Sequence, residues 1–171
     1  PLPSKGVIYP TGSALHGKDA LEIRPMTAKD EDILMSRAYI KKGIVINKLI
    51  ESCLIDKNIN VEELIAGDKN ALMVALRITG YGAEYTVDVT CPECSAQNNH
   101  SFDLSTLPIK TLSVEPVEIG RNEFEIVLPI TKKTVAVKFL DGYDEKEMNT
   151  VNERKKKAGI RTQSSITDRL K

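Results

Sequence analysis

The sequence pattern changes from that of a helix to that of a strand within residues 68–94, DKNALMVALRITGYGAEYTVDVTCPEC. Apolar residues recur there every three to four positions at first, which is the period of an amphipathic helix, and Asp68 is placed as its N-cap. Residues 80–82, Gly-Tyr-Gly, interrupt that pattern. Residues 84–90 then read as a strand. The stretch therefore predicts a helix that ends at the glycines and a strand that leads into two cysteines.

The residues before this stretch predict a mainly helical region. Thr27 and Asp30 have the spacing of an N-cap and its acidic third position. A second helix is expected over residues 44–54, where an apolar stripe includes Cys53, which we therefore assign to the core. A short helix is expected to follow a cap at Asn60.

The residues after it predict strands and then a charged helix. His100 to Leu104 would return as the partner of the first strand, with Asn98 and Asn99 in the connection. Residues 117–119 form a further strand candidate, and residues 124–140 are typical of a hairpin. The polar segment 144–157 can form a helix with little apolar face.

Together these patterns predict an α+β protein with a helical N-terminal half, a β-rich C-terminal half carrying the CxxC turn, and extended termini. We divide the chain into an extended N-terminal arm (1–20), a mainly helical region (21–83), a β-rich region (84–140) and a charged C-terminal helix and tail (141–171). The arm is rich in Pro and Gly, which disfavour regular structure.

The composition excludes several classes of protein. Of 171 residues, 41% are hydrophobic and 28% are charged, which suits a folded domain with a solvated surface. The formal net charge is zero, aromatic residues make up 5% and Trp is absent, so a nucleic-acid partner is not expected. Three cysteines do not make a secreted disulfide framework, and no apolar run is long enough to cross a bilayer.

The sequence around Cys91 and Cys94 resembles half of a zinc site. A strand–CPxC–strand arrangement presents two thiolates from one tight turn, whereas a structural zinc ion takes four ligands. The set is completed either by His100 with a fourth ligand from elsewhere, or by a second such turn across a dimer axis. The alternative is that both thiols stay reduced and metal-free. Zinc is thus the one candidate cofactor, and Cys91, Cys94 and His100 are its candidate ligands.

No catalytic constellation is visible, and we predict that the protein is not an enzyme. Motifs such as GxSxG, HExxH, a Walker loop or GxGxxG do not occur. A redox-active CxxC opens a helix, whereas a strand is expected to follow this one.

The strongest local charge feature is the basic run Arg154, Lys155, Lys156 and Lys157. Cations at the end of a helix are favoured by its dipole, so a solvated helix end explains the run. The functional alternative is a contact with an acidic partner or with nucleic acid.

Several stretches, taken in order, resemble one family. They are residues 2–10 (LPSKGVIYP), residues 22–34 (EIRPMTAKDEDIL) and residues 75–85 (ALRITGYGAEY), which lead into Cys91–Cys94. The chain is similar here to the baseplate hub assembly proteins of T-even-type contractile-tailed bacteriophages. Members of that family often have a glycine after the second cysteine, whereas this chain has Ser95.

The resemblance implies a non-enzymatic morphogenesis protein, made in the host cytoplasm, that helps to build the central hub of the tail baseplate. It implies other hub and tail proteins as partners, a homo-oligomer as a further option, and no membrane. Either a transient assembly factor or a permanent part of the virion would fit. The alternative is a zinc-ribbon-like adaptor that binds nucleic acid through the CxxC turn and the basic run.

We expect partner contacts from polar residues in the family-like stretches and from the two termini, residues 1–20 and the segment after Asp141. The candidate interface residues are Arg24, Arg77, Tyr81 and the basic run Arg154, Lys155, Lys156 and Lys157; Asp30 and Glu84 are further polar positions that serve either the fold or an interface.

Overall fold

The computed structural model describes residues 1–159 of the chain. Its helices are α1 (Ala28–Met35), α2 (Arg37–Lys42), α3 (Val45–Cys53), α4 (Ala66–Tyr81) and α5 (Gly142–Lys157), and its strands are β1 (Glu84–Thr90), β2 (Gln97–Asp103), β3 (Phe124–Val127) and β4 (Thr134–Val137). Short 3-10 turns cover Val61–Glu63 and Leu104–Thr106. The tail expected after residue 159 lies outside the described residues.

The order of elements confirms the predicted α+β class. Helices α1 to α4 precede Gly82, and the four strands follow it. The strands form two separate antiparallel hairpins, β1–β2 and β3–β4, rather than one sheet. The change from helix to strand falls at the glycines, because Gly82 caps α4 with a positive φ of 84°.

The hydrophobic core is built almost wholly by the helical half and the segment before it. Phe124 is the one fully buried apolar residue that the β-rich half contributes within residues 1–159. The buried apolar residues are Leu2, Ile8, Tyr9, Leu15, Leu49, Ile50, Cys53, Leu54, Ile59, Val61, Leu64, Ile65, Leu72, Leu76 and Phe124. Cys53 is therefore the core residue that its position on the apolar stripe predicts.

The first 20 residues differ from the extended arm that the sequence predicts. They form consecutive turns, and Leu2, Ile8 and Leu15 are almost completely buried. The same Pro and Gly residues that disfavour helix and strand permit such turns. Residues 1–20 therefore contribute Leu2, Ile8 and Leu15 to the core in this structure, and these side chains are not free to bind a partner.

The carboxylate of Asp68 connects this segment to α4. The helix begins at Ala66, so Asp68 lies in its first turn rather than at the predicted N-cap, and it is fully buried. It accepts hydrogen bonds from the backbone N–H of Ser4 (2.9 Å), from the Ser4 hydroxyl (2.5 Å) and from the Tyr9 hydroxyl (2.5 Å). Burial and the neighbouring carboxylate raise the pKa of Tyr9 far above its usual range, which keeps its hydroxyl a proton donor.

The boundaries of the short 3-10 turn and of α4 differ from the predicted boundaries by a few residues. The Asn60 side chain caps the 3-10 turn as predicted, accepting from the N–H of Glu62 (3.1 Å). A short helix that continued past this turn is not found, because Leu64 follows it directly and Gly67 already lies inside α4.

In the β-rich half, two expectations are not met. Asn98 and Asn99 belong to β2, because the β1–β2 ladder runs up to the pair Thr90–Gln97. Residues 117–119 are not a strand. They are held instead by single backbone bonds, from Val117 N–H to Glu123 O (2.8 Å) and from the next residue, Gly120, to Val7 O (2.7 Å).

Helix α5 packs back on the helical half through polar contacts. Lys146 pairs with Glu62 (2.8 Å), and Glu145 accepts from the mostly buried Lys69 (3.0 Å). The helix covers the predicted charged segment 144–157 and starts two residues before it. No helix within residues 1–159 has both the length and the apolar character needed to cross a membrane.

The turn at Gly6 gives a direct test of the folded amino-terminal segment. Its φ is +71°, and an added Cβ would lie 2.3 Å from the backbone nitrogen of Lys18. We expect Gly6→Ala to lower the free energy of unfolding by about 2 kcal/mol, measured by urea denaturation.

Gly12→Ala is the matched control, because nothing lies within 4 Å of a Cβ added there and its φ is not positive. Equal unfolding midpoints for the two variants would contradict the placement of residues 1–20.

Candidate functional site

The two cysteines lie at the tip of the β1–β2 hairpin. The pair Thr90–Gln97 ends the ladder, and the N–H of Cys91 then donates to Ala96 O (2.9 Å). The N–H of Ser95 donates back to Cys91 O (2.9 Å), which closes the turn. Pairing between the strands therefore fixes where both cysteines stand.

Within this turn the sulfur of Cys91 is a hydrogen-bond acceptor. Backbone N–H groups of Cys94 and Glu93 donate to it, as does the side chain of Cys94, and these bonds lower the pKa of the Cys91 thiol. Cys91 is half-buried and Cys94 is exposed. The turn thus lowers the pKa of one thiol and presents the second sulfur to solvent beside it.

Ser95 adopts the left-handed conformation that the turn requires. Its φ is +58°, in a region where a residue with a side chain is strained by about 1 kcal/mol and glycine is not. The backbone therefore keeps the CxxC turn with serine in this conformation.

The structure brings Cys91 and Cys94 together but leaves His100 apart from them. His100 pairs with Val87, three residues along β2 from the end of the ladder, which is about 10 Å at the rise of a strand. Its ring packs edge-on against Phe102, with centroids 4.4 Å apart. Across residues 1–159, no three His, Cys, Asp or Glu side chains are grouped closely enough to hold a metal ion.

Cys53 and His16, the other candidate ligands by residue type, lie away from the hairpin tip. Cys53 is fully buried in the core, and this burial raises the pKa of its thiol. The Nδ1 atom of His16 lies 2.6 Å from the carbonyl oxygen of Tyr9. Neither group is placed at the hairpin tip.

Arg77 anchors the hairpin to the end of α4. Its guanidinium donates to the carbonyl oxygens of Gly82 (2.9 Å) and Glu84 (3.3 Å). It also lies over the rings of Tyr81 and Tyr85, 5.2 and 5.6 Å from their centroids. The candidate interface residues Arg77 and Tyr81 thus meet at the junction of helix and strand, where Tyr81 remains half exposed.

Arg24, another candidate interface residue, is held in an internal network around Asp30. Its guanidinium makes two hydrogen bonds to the fully buried Asp30 carboxylate (2.7 and 3.0 Å) and one to the Ser52 hydroxyl (3.0 Å). Asp30 also accepts from the N–H and hydroxyl of Thr27 (2.7 and 2.8 Å), which confirms the predicted cap. The network joins α1 to α3, so its contacts stabilise the fold.

The basic run occupies the end of α5, as predicted for a charged helix. The side chains of Arg154 and Lys157 are exposed, and that of Lys155 is partly buried. For Lys156 the structure describes the helical backbone.

Sequence reasoning missed the exposed apolar surface of segment 107–139. Ten of its large apolar side chains are between 40% and 91% exposed, and Ile130, between β3 and β4, is the most exposed of them. They are Leu107, Ile109, Val114, Val117, Ile119, Ile126, Val127, Ile130, Val137 and Phe139. The signal available was the number of apolar residues in a segment that has only two short strands to pack them against, because most of these residues lie outside the strands.

Comparison with known proteins places this chain in one family. The family model described as "T4 bacteriophage base plate protein" matches residues 9–153, which include both hairpins and most of α5. The chain belongs to this family of T4-type phage baseplate proteins, as its resemblance to the T-even-type proteins predicts. No curated protein sequence and no solved structure matches the chain.

The Asp30 network yields a prediction with a defined pH dependence. Arg24 first of all, with Ser52 and Thr27, holds the pKa of Asp30 well below its usual range, although burial opposes this. The stabilisation that ionised Asp30 gives the fold is therefore complete above the pKa of an Asp in the unfolded chain, about 4. This stabilisation is lost as the pH falls below that value. We expect Asp30→Asn to lower the free energy of unfolding by about 2 kcal/mol at pH 7 and by less at pH 3.

Urea unfolding at the two pH values measures this difference. Asp32→Asn, on the exposed side of the same helix, is the control and should change stability little at either pH. A deficit for Asp30→Asn that stays constant between pH 7 and pH 3 would show that the charge of Asp30 does not stabilise the fold.

Proposed function

We propose that this baseplate protein acts as a non-enzymatic structural subunit that helps to assemble the central hub of the phage tail through protein–protein contacts. Membership of the baseplate family is the observation that carries the proposal. Its partners are other hub and tail proteins, which it meets in the host cytoplasm and accompanies into the tail baseplate.

The distribution of apolar surface supports this role. The helical half has its own core, whereas the β-rich half leaves most of its large apolar side chains exposed. An apolar surface of this kind marks an interaction site when it persists in a folded protein. We therefore assign the partner-binding surface to segment 107–139 in place of residues 1–20, whose apolar side chains are in the core.

The hairpins also need an outside contact to become rigid. Every residue of β1 and β2 except Val87 is exposed, and a two-stranded hairpin is at best marginally stable in water. The β3–β4 hairpin is attached through Phe124, which is buried and packs edge-on against Phe139 at 5.0 Å. Each hairpin is thus anchored at one end and available to a partner along the rest.

The largest pKa shifts in residues 1–159 are found in hydrogen-bond networks that hold the fold together. They belong to Tyr9 and Asp30, and each has its hydrogen-bond partners within the fold. Perturbed groups in an enzyme typically converge on a cleft instead.

Replacement of Ile130 tests the assigned surface. This side chain is 91% exposed, so Ile130→Asp should leave folding unchanged and remove an apolar contact from the partner interface. In cells infected with phage lacking this gene and supplied with the variant, we expect at least about a tenfold loss of infectious particles and of complete baseplates seen by electron microscopy.

Met35→Asp is the matched control, because Met35 is 78% exposed at the end of α1 in the helical half. It should support normal assembly, and both purified variants should unfold at the temperature of the parent protein. Normal particle yields with the double variant Ile130→Asp and Val127→Asp would contradict the assignment of segment 107–139. Complete baseplates made with no copy of the protein at all would contradict the assembly role itself.

A further inference from the structure

The tip of the β1–β2 hairpin has the features of half a metal site. Cys91 and Cys94 stand together on a turn that the pairing of β1 with β2 fixes. Ser95 accepts a strained left-handed conformation to keep this geometry.

This chain has few groups with which to complete the site from within. Cys53 is in the core, His16 contacts the backbone of Tyr9, and His100 packs on Phe102. Residues 160–171 contain neither Cys nor His. Two thiolates alone leave a tetrahedral zinc ion with two open positions, which does not make a closed structural site.

We propose that two copies of this chain bind one zinc ion between their hairpin tips, each copy supplying Cys91 and Cys94. A two-fold axis brings the same surface of both copies together, and two plus two thiolates make a closed tetrahedral site. No further ligand type is required, whereas a different partner would have to bring two sulfur or imidazole ligands of its own. This inference is independent of the proposed role in hub assembly.

The binding step balances without any redox change. The zinc ion loses its water ligands, four zinc–sulfur bonds form, and each thiol that is still protonated releases its proton to solvent. Cys94, being exposed, is accessible to an ion that bridges to another molecule.

The sides of the hairpin suit contact with a second copy. Tyr85, Val89 and Phe102 are each between 42% and 47% exposed, and both outer strand edges are unpaired within the described chain. Because a lone hairpin is marginal in water, pairing of two tips through one ion would order both. The metal would then fix the orientation of the two copies, and the apolar side chains would add contact area.

Native mass spectrometry of the purified full-length protein, with added zinc and a non-thiol reductant, tests this inference. We expect a dimer that holds one zinc ion per two chains. The same protein loaded with Co²⁺ should show the intense visible absorption of a tetrahedral site with four thiolates. Cys91→Ser and Cys94→Ser should each reduce retained zinc to below about a tenth of the parent value and yield monomers.

His100→Ala is the matched control on the same hairpin and should retain both the zinc ion and the dimer. Thermal unfolding checks that the serine variants keep the fold, since neither cysteine is in the core. A monomer that binds no zinc, one zinc ion per chain, or a dimer that survives Cys94→Ser would each overturn the proposal. A zinc site that His100→Ala abolishes would overturn it in favour of a ligand set within one chain.

Discussion

The rest of the structure depends on the hydrogen bonds that the buried carboxylate of Asp68 accepts. Through Ser4 and Tyr9 it holds the amino-terminal turns against the first turn of α4, so that their apolar side chains complete the core. Helix α4 then continues to Arg77, which fixes the start of the β1–β2 hairpin. One helix therefore connects the packed half of the molecule to the exposed half.

Features encoded over a few residues could be predicted from the sequence. The cap at Thr27 and Asp30, the stop at Gly82 and the strand that leads to Cys91 all depend on neighbours in the chain. The position of residues 1–20 could not be predicted, because it depends on Asp68, more than fifty residues away. His100 was grouped with the cysteines since spacing along the chain does not reveal strand register.

The exposure of apolar side chains in the β-rich half could not be predicted from the sequence either. Apolar residues in strands normally predict a core, and here only Phe124 is fully buried among them in the part of the chain that the structure describes. The family match explains why such a surface is tolerated, because a baseplate protein works within an assembly of other chains. Under the proposed function, the apolar side chains of segment 107–139 become interface when the baseplate assembles.

Hydrogen–deuterium exchange tests the assignment of segment 107–139 as the interface most directly. The exchange is compared between the free protein and the protein in assembled baseplates. We expect amides of segment 107–139 to exchange fast in the free protein and to become strongly protected on assembly, while those of α4 are protected in both states. Unchanged exchange in segment 107–139, with new protection confined to the surface of α1 to α3, would contradict it.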